Sequence, residues 1–518
     1  MFQPTLKFLA TFFLGAFTVA STTTVGALTT TVGAASVDES WYRVEVAGAP
    51  AGWMVERDID DGERLISETD LQINFRRGGA ALRLGMATRF IETRDHRPLE
   101  MWTRQELGGT PQELTYRFDD NGVVRTNAAG EQRLDAPAGP WLTPFAADRR
   151  LRNSLRAMLG DDPPEGGVRS IEIPVIDPSL GPQVVTTRWV LEQKSVPVGD
   201  GAARRDASRW RLSQSFAPQV ESDVLLDGDG KMLSSTTPMM GLEMRFVLSE
   251  REQAQSLGDG PELLVQSFIY PDRRIKHPRL VRRAAYRVTV DGAAVELPAV
   301  GAQRMDGDRV VVDLEHPAPD PLADPERYLQ PSTYLDFTAD AVAALHAQAV
   351  DGRPKDLPAA ERARALRRLV ARHLDDKNLD SILASAGDAA ASRSGDCTEH
   401  AVLLSALLRA DGIPARVATG VIYVDAFAGK RHLFAYHMWS QAHIDGRWRD
   451  LDATLRGDVD FDAAHLTFDI PDLDDEGAAL MHMAGVAPLI GRAQIEILDV
   501  DLDAQKEAAA SGSDGGAP

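Results

Sequence analysis

The dipeptide Asp445-Gly446, set between two runs rich in aromatic and β-branched residues, constrains this chain more than any other feature. Such a pair is the strongest two-residue hairpin signal, because both residues readily take the left-handed backbone a tight antiparallel turn needs. It predicts a strand over Ala435–Ile444 and a return over Arg447–Asp452. A two-residue loop pairs Ile444 with Arg447, and counting outward sets Trp439 opposite Asp452 and His437 opposite Thr454. His437 and Asp452 then share a face as diagonal neighbours, a separation that side chains bridge. A slip of one residue would put them on opposite faces. Trp439 and Trp448 fall on the same face, where core packing accounts for them.

Upstream, Ala415–Val424 is a further β-branched run, ending at a loop over Asp425–Arg431 whose Gly429 and polar neighbours predict an open, mobile rim. Before that strand lies the apolar run Ala401–Leu408. Leu404 and Leu408 repeat at i and i+4, and Val402, Leu403 and Leu407 make the other faces apolar, which describes a buried helix. Asp411-Gly412-Ile413-Pro414 stops it, and Ser392–Asp396 supplies capping side chains at its start. Cys397, the only cysteine of the chain, therefore sits at or next to a helix N-terminus. Free N–H groups and the helix dipole there favour a thiolate, so a lowered thiol pKa is expected. Glu399 suits the first turn for the same electrostatic reason.

A thiol at a helix start, with an imidazole and a carboxylate paired on a nearby hairpin, is the set that thiol catalysis needs. The imidazole takes the thiol proton, the carboxylate orients the ring, and the thiolate attacks a carbonyl carbon. The segments Gly395-Asp396-Cys397-Thr398-Glu399-His400-Ala401, Arg409–Arg416, Tyr436-His437-Met438-Trp439 and Trp448–Thr454 resemble, in that order, the bacterial transglutaminase-like superfamily of papain-like thiol enzymes. The resemblance covers roughly residues 355–470. It implies Cys397 as nucleophile, His437 as base and Asp452 as orienting acid. It also implies an α+β fold, a papain-like core whose Cys-bearing helix packs on antiparallel strands carrying His and Asp. The superfamily contains transglutaminases, cysteine peptidases, other amidases and inactive members, so the reaction stays open. Hydrolysis of an amide or peptide bond through a Cys397 thioester is the expected activity. Protein-glutamine transglutaminase and an inactive scaffold that binds an envelope partner are the alternatives.

Other constellations fare worse. Cys397, His400, His437 and His443 contain a Cys-x-x-His spacing known from zinc sites, but a zinc set leaves Asp452 without a role. Asp458-Val459-Asp460-Phe461-Asp462 begins like a calcium loop, yet its sixth position is Ala463 and its twelfth Asp469. No metal and no cofactor is expected. His432 reads as a loop histidine and His96 as an isolated surface residue.

The remaining sequence sets the frame. A chain of 518 residues exceeds one ordinary core. The net charge of −21 excludes nucleic acid and anionic membrane surfaces as natural partners. Met1–Lys7 followed by Phe8–Ala20 has the pattern of an export signal, with an uncleaved N-terminal anchor as the alternative. Export places the protein in the periplasm or outside the cell, where a protein or peptide of the envelope is the expected substrate, with no membrane span in the mature chain. One cysteine cannot close an internal disulfide, and a lone thiol kept in an oxidising compartment argues for a use.

Along the chain the expected units are a signal peptide and flexible leader (1–35), a β-rich N-terminal domain (38–255), a small β-module and linker (256–330), the transglutaminase-like core (331–475), and a last strand with a disordered tail (476–518). The β-rich domain is read from alternations such as Leu71, Ile73, Phe75 against Gln72, Asn74, Arg76, an antiparallel meander with one buried face. A helix is expected over Ala146–Leu159. In the core, helices are expected over Ala339–Val350 and Ala359–Leu374, followed by a loop over Asp375–Ser394.

Overall fold

The computed structural model describes residues 36–502 except 108–109, 128–129, 161–168, 200–204, 240–241, 257, 265–266, 318, 320–321, 323, 355, 377, 380, 472 and 474–488. The leader over residues 1–35 and the tail over 508–518 lie outside the described residues. The fold is α+β and divides into two compact units. One comprises the residues up to 261 apart from 77–80 and 108–110; the other comprises those two short pieces and 262–518. Among the described residues no helix is long and apolar enough to cross a membrane.

The first unit is a fourteen-stranded antiparallel sheet among the described residues. Eight strands follow one another from Ser36–Val46 to Gly130–Leu134, and six more from Ser170–Ile176 to Leu242–Ser249. The two meanders join where Ser36–Val46 pairs with Leu242–Ser249. The alternating residues Leu71, Ile73 and Phe75 are buried. The opposite face is not all wet: Gln72 is buried too, accepting a hydrogen bond from Trp53 Nε1 at 2.8 Å. The helix between the meanders, Pro144–Leu159, starts two residues earlier than its periodicity suggests. Thr143 serves as N-cap and Pro144, whose missing N–H has no intrahelical role, fills the first turn.

Among its described residues the second unit holds two sheets and four helices longer than one turn. The first sheet contains β1 (Val281–Val290), β2 (Ala293–Ala294), β3 (Gln303–Asp306) and β4 (Arg309–Asp313). The helices are α1 (Asp340–Val350), α2 (Ala359–His373), α3 (Ala386–Ser392) and α4 (Cys397–Ala410). The second sheet is built from β5 (Ala415–Phe427), β6 (Lys430–Ile444), β7 (Arg447–Leu451) and β8 (His465–Asp469), in the order β7-β6-β5-β8. The last strand, β9 (Ala493–Leu502), returns to pair with β1.

Two expectations need correction here. The stretch Asp375–Ser394 is not all loop: Ser385 accepts a capping hydrogen bond from Asp388 N, and the alanine-rich Ala386–Ser392 forms α3. Nor is Asp425–Arg431 an open rim. β5 and β6 continue to a tight turn at Ala428-Gly429, with φ of 45° and 75°, and Phe427 pairs with Lys430. The loop composition was that of a two-residue hairpin turn rather than of a mobile segment.

α4 is buried along nearly its whole length, Leu403, Leu404, Leu407 and Leu408 included, and lies against β5 and β6. The buried Ser405 ties it to the sheet: Oγ reaches Arg416 O at 3.3 Å and Ser440 Oγ at 3.1 Å. Ser440 Oγ in turn donates to Ala401 O at 2.9 Å. These bonds pin the rotation of the helix about its axis, and so the direction from which Cys397 meets β6.

Candidate active site

Cys397 is the first residue of α4. Asp396 is the N-cap, accepting from Thr398 N at 2.8 Å, and the Glu399 carboxylate closes the capping box by accepting from Asp396 N at 2.9 Å. Glu399 also accepts from Ser381 Oγ at 2.6 Å and Ala384 N at 3.1 Å. It is thus more than a first-turn acid: it fastens the preceding loop to the helix that presents the thiol. Gly395 sits at φ 152°, and a Cβ there would lie 2.4 Å from Glu399 Cβ, so this turn has room only for glycine.

The expected lowering of the thiol pKa is not what the resting structure displays. Burial pushes the Cys397 thiol up, and the Asp396 carboxylate adds to the rise. The Arg77 guanidinium and a hydrogen bond from the Met438 backbone N–H work in the opposite direction without prevailing. The helix N-terminus does favour an anion, but the N-cap that organises this one is itself acidic and buried.

The hairpin register is as the Asp445-Gly446 turn requires, with Ile444 opposite Arg447 and the ladder continuing to Ser440 opposite Leu451. Beyond Leu451 the strand ends, and Asp452 stands in the following turn. His437 and Asp452 still meet: His437 Nε2 donates to Asp452 Oδ2 at 2.9 Å. The fully buried Arg367 of α2 holds that turn, donating to Leu455 O at 2.8 Å and Gly457 O at 2.5 Å and facing Asp460 at 3.0 Å. The sequence reading placed this helix but not the role of the arginine within it.

Every lone-pair direction of Asp452 is used. Oδ1 accepts from Thr454 N and Thr454 Oγ1, both at 2.7 Å; Oδ2 accepts from His437 and, at 3.3 Å, from His465 Nε2. Burial opposes its ionisation, but the His437 and His465 imidazoles hold the carboxyl well below the usual range. His465 and its neighbour Asp462 were not anticipated, because the acidic stretch from Asp458 reads as aperiodic. The signal present was short: Leu466 and Phe468 alternate with His465 and Thr467, enough for the five-residue strand β8. Gly420 lets that strand in, since a Cβ there would lie 1.8 Å from Leu466 O.

His437, Asp452 and His465 each offer a ligand atom within 4.8 Å of the others. The hydrogen bonds to Asp452 already account for that grouping, and Cys397 is not part of it.

Cys397 and His437 line one cleft of about 720 Å³, together with His400, His277, Tyr436 and Thr454. Its walls are mixed: Leu264, Leu379, Ile422, Val424 and Phe427 are apolar, while Arg77, Arg279, Asn378 and Asp425 are polar or charged. With Nε2 of His437 engaged by Asp452, Nδ1 is the nitrogen left for the thiol. His400 faces inward at the helix, its Nδ1 2.6 Å from Asp396 O, and His443 packs edge-on against Trp448, so neither joins a zinc set with Cys397.

An α+β core with a cysteine at a helix start, a histidine on the adjoining sheet and an aspartate just past its hairpin defines the class of papain-like thiol folds. Residues 344–453 match the model of the Transglutaminase-like superfamily, whose enzymes are typically cysteine-dependent. No curated protein matches in sequence. Among solved structures, a β-barrel-like protein of a domain of unknown function from Brucella abortus is similar over 41% of this chain and 95% of its own, at 13% identity and a TM-score of 0.29. The periplasmic domain of TgpA from Pseudomonas aeruginosa, bound to ethylmercury, is similar over 52% of this chain and 72% of its own, at 15% identity and a TM-score of 0.20.

Proposed function

We propose that the chain is an exported thiol enzyme that cleaves amide or peptide bonds of the cell envelope through a thioester on Cys397. One observation carries the reading: His437 is held at Nε2 by a buried, ionised Asp452 and lines the same cleft as Cys397. In the reaction, Nδ1 of His437 takes the thiol proton as Sγ bonds to the carbonyl carbon. The oxyanion is met by the Cys397 backbone N–H at the helix start. Collapse breaks the C–N bond, and the leaving amine takes the proton back from His437. Water then attacks the thioester, giving its proton to His437, and the acid leaves as the thiol re-forms.

Because the resting thiol is pushed up, proton transfer accompanies attack; a standing thiolate is not required. Water is the default acceptor, since excluding it takes a closed apolar channel. The apolar side chains in the cleft wall favour a second reading, transfer to an amine. Product partitioning decides between the two. The protein is incubated with a glutamine-bearing peptide and a labelled primary amine, and acid and amide products are quantified. Acid in excess at millimolar amine supports hydrolysis, amide in excess supports a transglutaminase, and neither product supports a scaffold.

A further inference from the structure

The chain of hydrogen bonds does not end at Asp452 but continues inward. His465 Nε2 faces Asp452 Oδ2 at 3.3 Å, and its Nδ1 lies 3.0 Å from both Asp462 Oδ1 and Asp462 O. The other Asp462 oxygen accepts from Arg279 Nη1 at 2.5 Å. Phe461 stacks on the His465 ring at 4.2 Å between centroids, and Trp439 meets it edge-on at 5.4 Å, so the ring cannot turn away.

A neutral imidazole has one N–H and one lone pair. Both nitrogens of His465 face carboxylate oxygens, which only accept. Either neutral tautomer would set a lone pair against an anion at a position 1% exposed, beside an Asp452 that is 0% exposed. Only the imidazolium satisfies both contacts. We infer that His465 is a standing positive charge that positions the reacting pair: it keeps Asp452 ionised and aimed at His437, and it offsets the negative charge His437 experiences. This deepens the thiol reading and rests on it for its catalytic meaning.

The charged groups around His465 support the assignment. Asp462 and Arg279 face it from the segments before β8 and β1, Asp452 and Asp450 from the end of β7, and His437 from β6. Arg367 of α2 reaches the Asp452 carbonyl. Arg279, Asp462, His465 and Asp452 alternate in sign and sum to zero while His437 is neutral. A proton on His437 is then balanced by the Cys397 thiolate alone. Without the charge on His465, Asp452 would hold that proton more tightly and His437 would surrender it less readily to the leaving amine.

The test is histidine-selective ¹³C and ¹⁵N NMR of the full chain from pH 6 to 9, with H465Q to assign the ring. The amide of glutamine can still donate to Asp452 but carries no charge. Wild-type His465 should remain protonated past pH 8. In H465Q the His437 titration midpoint should rise by about two pH units, as expected for removing a charge 5.7 Å away. A purely structural role would leave that midpoint in place. A neutral His465 ring at pH 7 in the wild type overturns the inference even if H465Q does not fold, and so does an unmoved His437 midpoint in a folded H465Q. If His465 is protonated but Cys397 never acylates, the thiol reading fails while the charge assignment stands.

Discussion

In the fourteen-stranded unit, Asp148 is buried beside Arg152, whose Nε lies 3.2 and 3.0 Å from its two oxygens. In the second unit, Asp452 is buried between His437 and His465. Burial raises Asp148 well above the usual carboxylate range, because one arginine does not offset desolvation with Asp58 and Glu56 nearby. Asp452 is held well below that range. Both are buried; the donors differ. Asp452 has four, from two imidazoles and Thr454, and no like charge opposes them among its main influences. The contrast separates an acid that folding tolerates from one the fold is built to keep ionised.

The largest expected effect is on catalysis. Cys397→Ser should keep the fold and reduce amide cleavage on the order of 10⁶-fold, with Asp452→Ala costing less, on the order of 10⁴-fold, since an orienting carboxylate leaves residual activity when lost. Equal activity of Asp452→Ala and wild type would reduce Asp452 to a structural acid and erase the contrast with Asp148.

Stability should show the same split. Asp452→Asn sets an amide N–H against one of two imidazole donors and strands a buried charge, a cost of about 3–5 kcal/mol. Asp148→Asn replaces a group already inclined to be neutral and should cost about 1 kcal/mol or less. Urea denaturation of both variants measures the difference, and equal costs would contradict the account.

The pH dependence gives a finer division. The His465 ring is opposed by burial but raised by Asp462 and Asp452 to about 9, from 6.5 when unfolded. Its folded value is the higher one, so its contribution is full below about pH 6.5 and lost as pH rises through 9. Asp452 has the lower folded value, so its contribution is present above its unfolded value of 3.8 and lost as pH falls through its folded value. Asp148 runs the other way: its folded value is raised, so its contribution is full below 3.8 and declines as pH rises. Denaturation midpoints against pH should lose the alkaline decline in H465Q and keep it in Asp148→Asn.

The smallest effect concerns the turn. Gly446 has φ of 73°, and Gly446→Ala should cost about 1 kcal/mol without changing the Ile444–Arg447 register or the product. A change in product would mean that the turn does more than set register.

These residues also mark what could be read from the chain alone. A two-residue turn has one register, so Asp445-Gly446 delivered His437 to Asp452 although the strand stops at Leu451. The apolar run after Cys397 delivered α4 and its start. What escaped was polar and non-local. His465, Asp462 and Arg367 come from β8, the segment before it, and α2, and their partners are set by tertiary packing. The upward push on the thiol escaped for a related reason: helix-dipole reasoning counts backbone groups, while the outcome depended on burial and on Asp396. The rim at Asp425–Arg431 was misjudged because Gly and polar residues mark tight turns as well as loops.

The central claim is that Cys397, activated by His437, takes an acyl group from an amide. Its most direct test is intact-protein mass spectrometry after rapid acid quench, with a glutamine-bearing peptide and the wild type, Cys397→Ser and His437→Ala. The account predicts a wild-type adduct equal to the peptide less ammonia, mapped to Cys397 and cleaved by hydroxylamine, absent from Cys397→Ser and strongly reduced in His437→Ala. An adduct equally abundant in Cys397→Ser, or a wild-type protein that turns the peptide over with the acyl group on another residue, would contradict it.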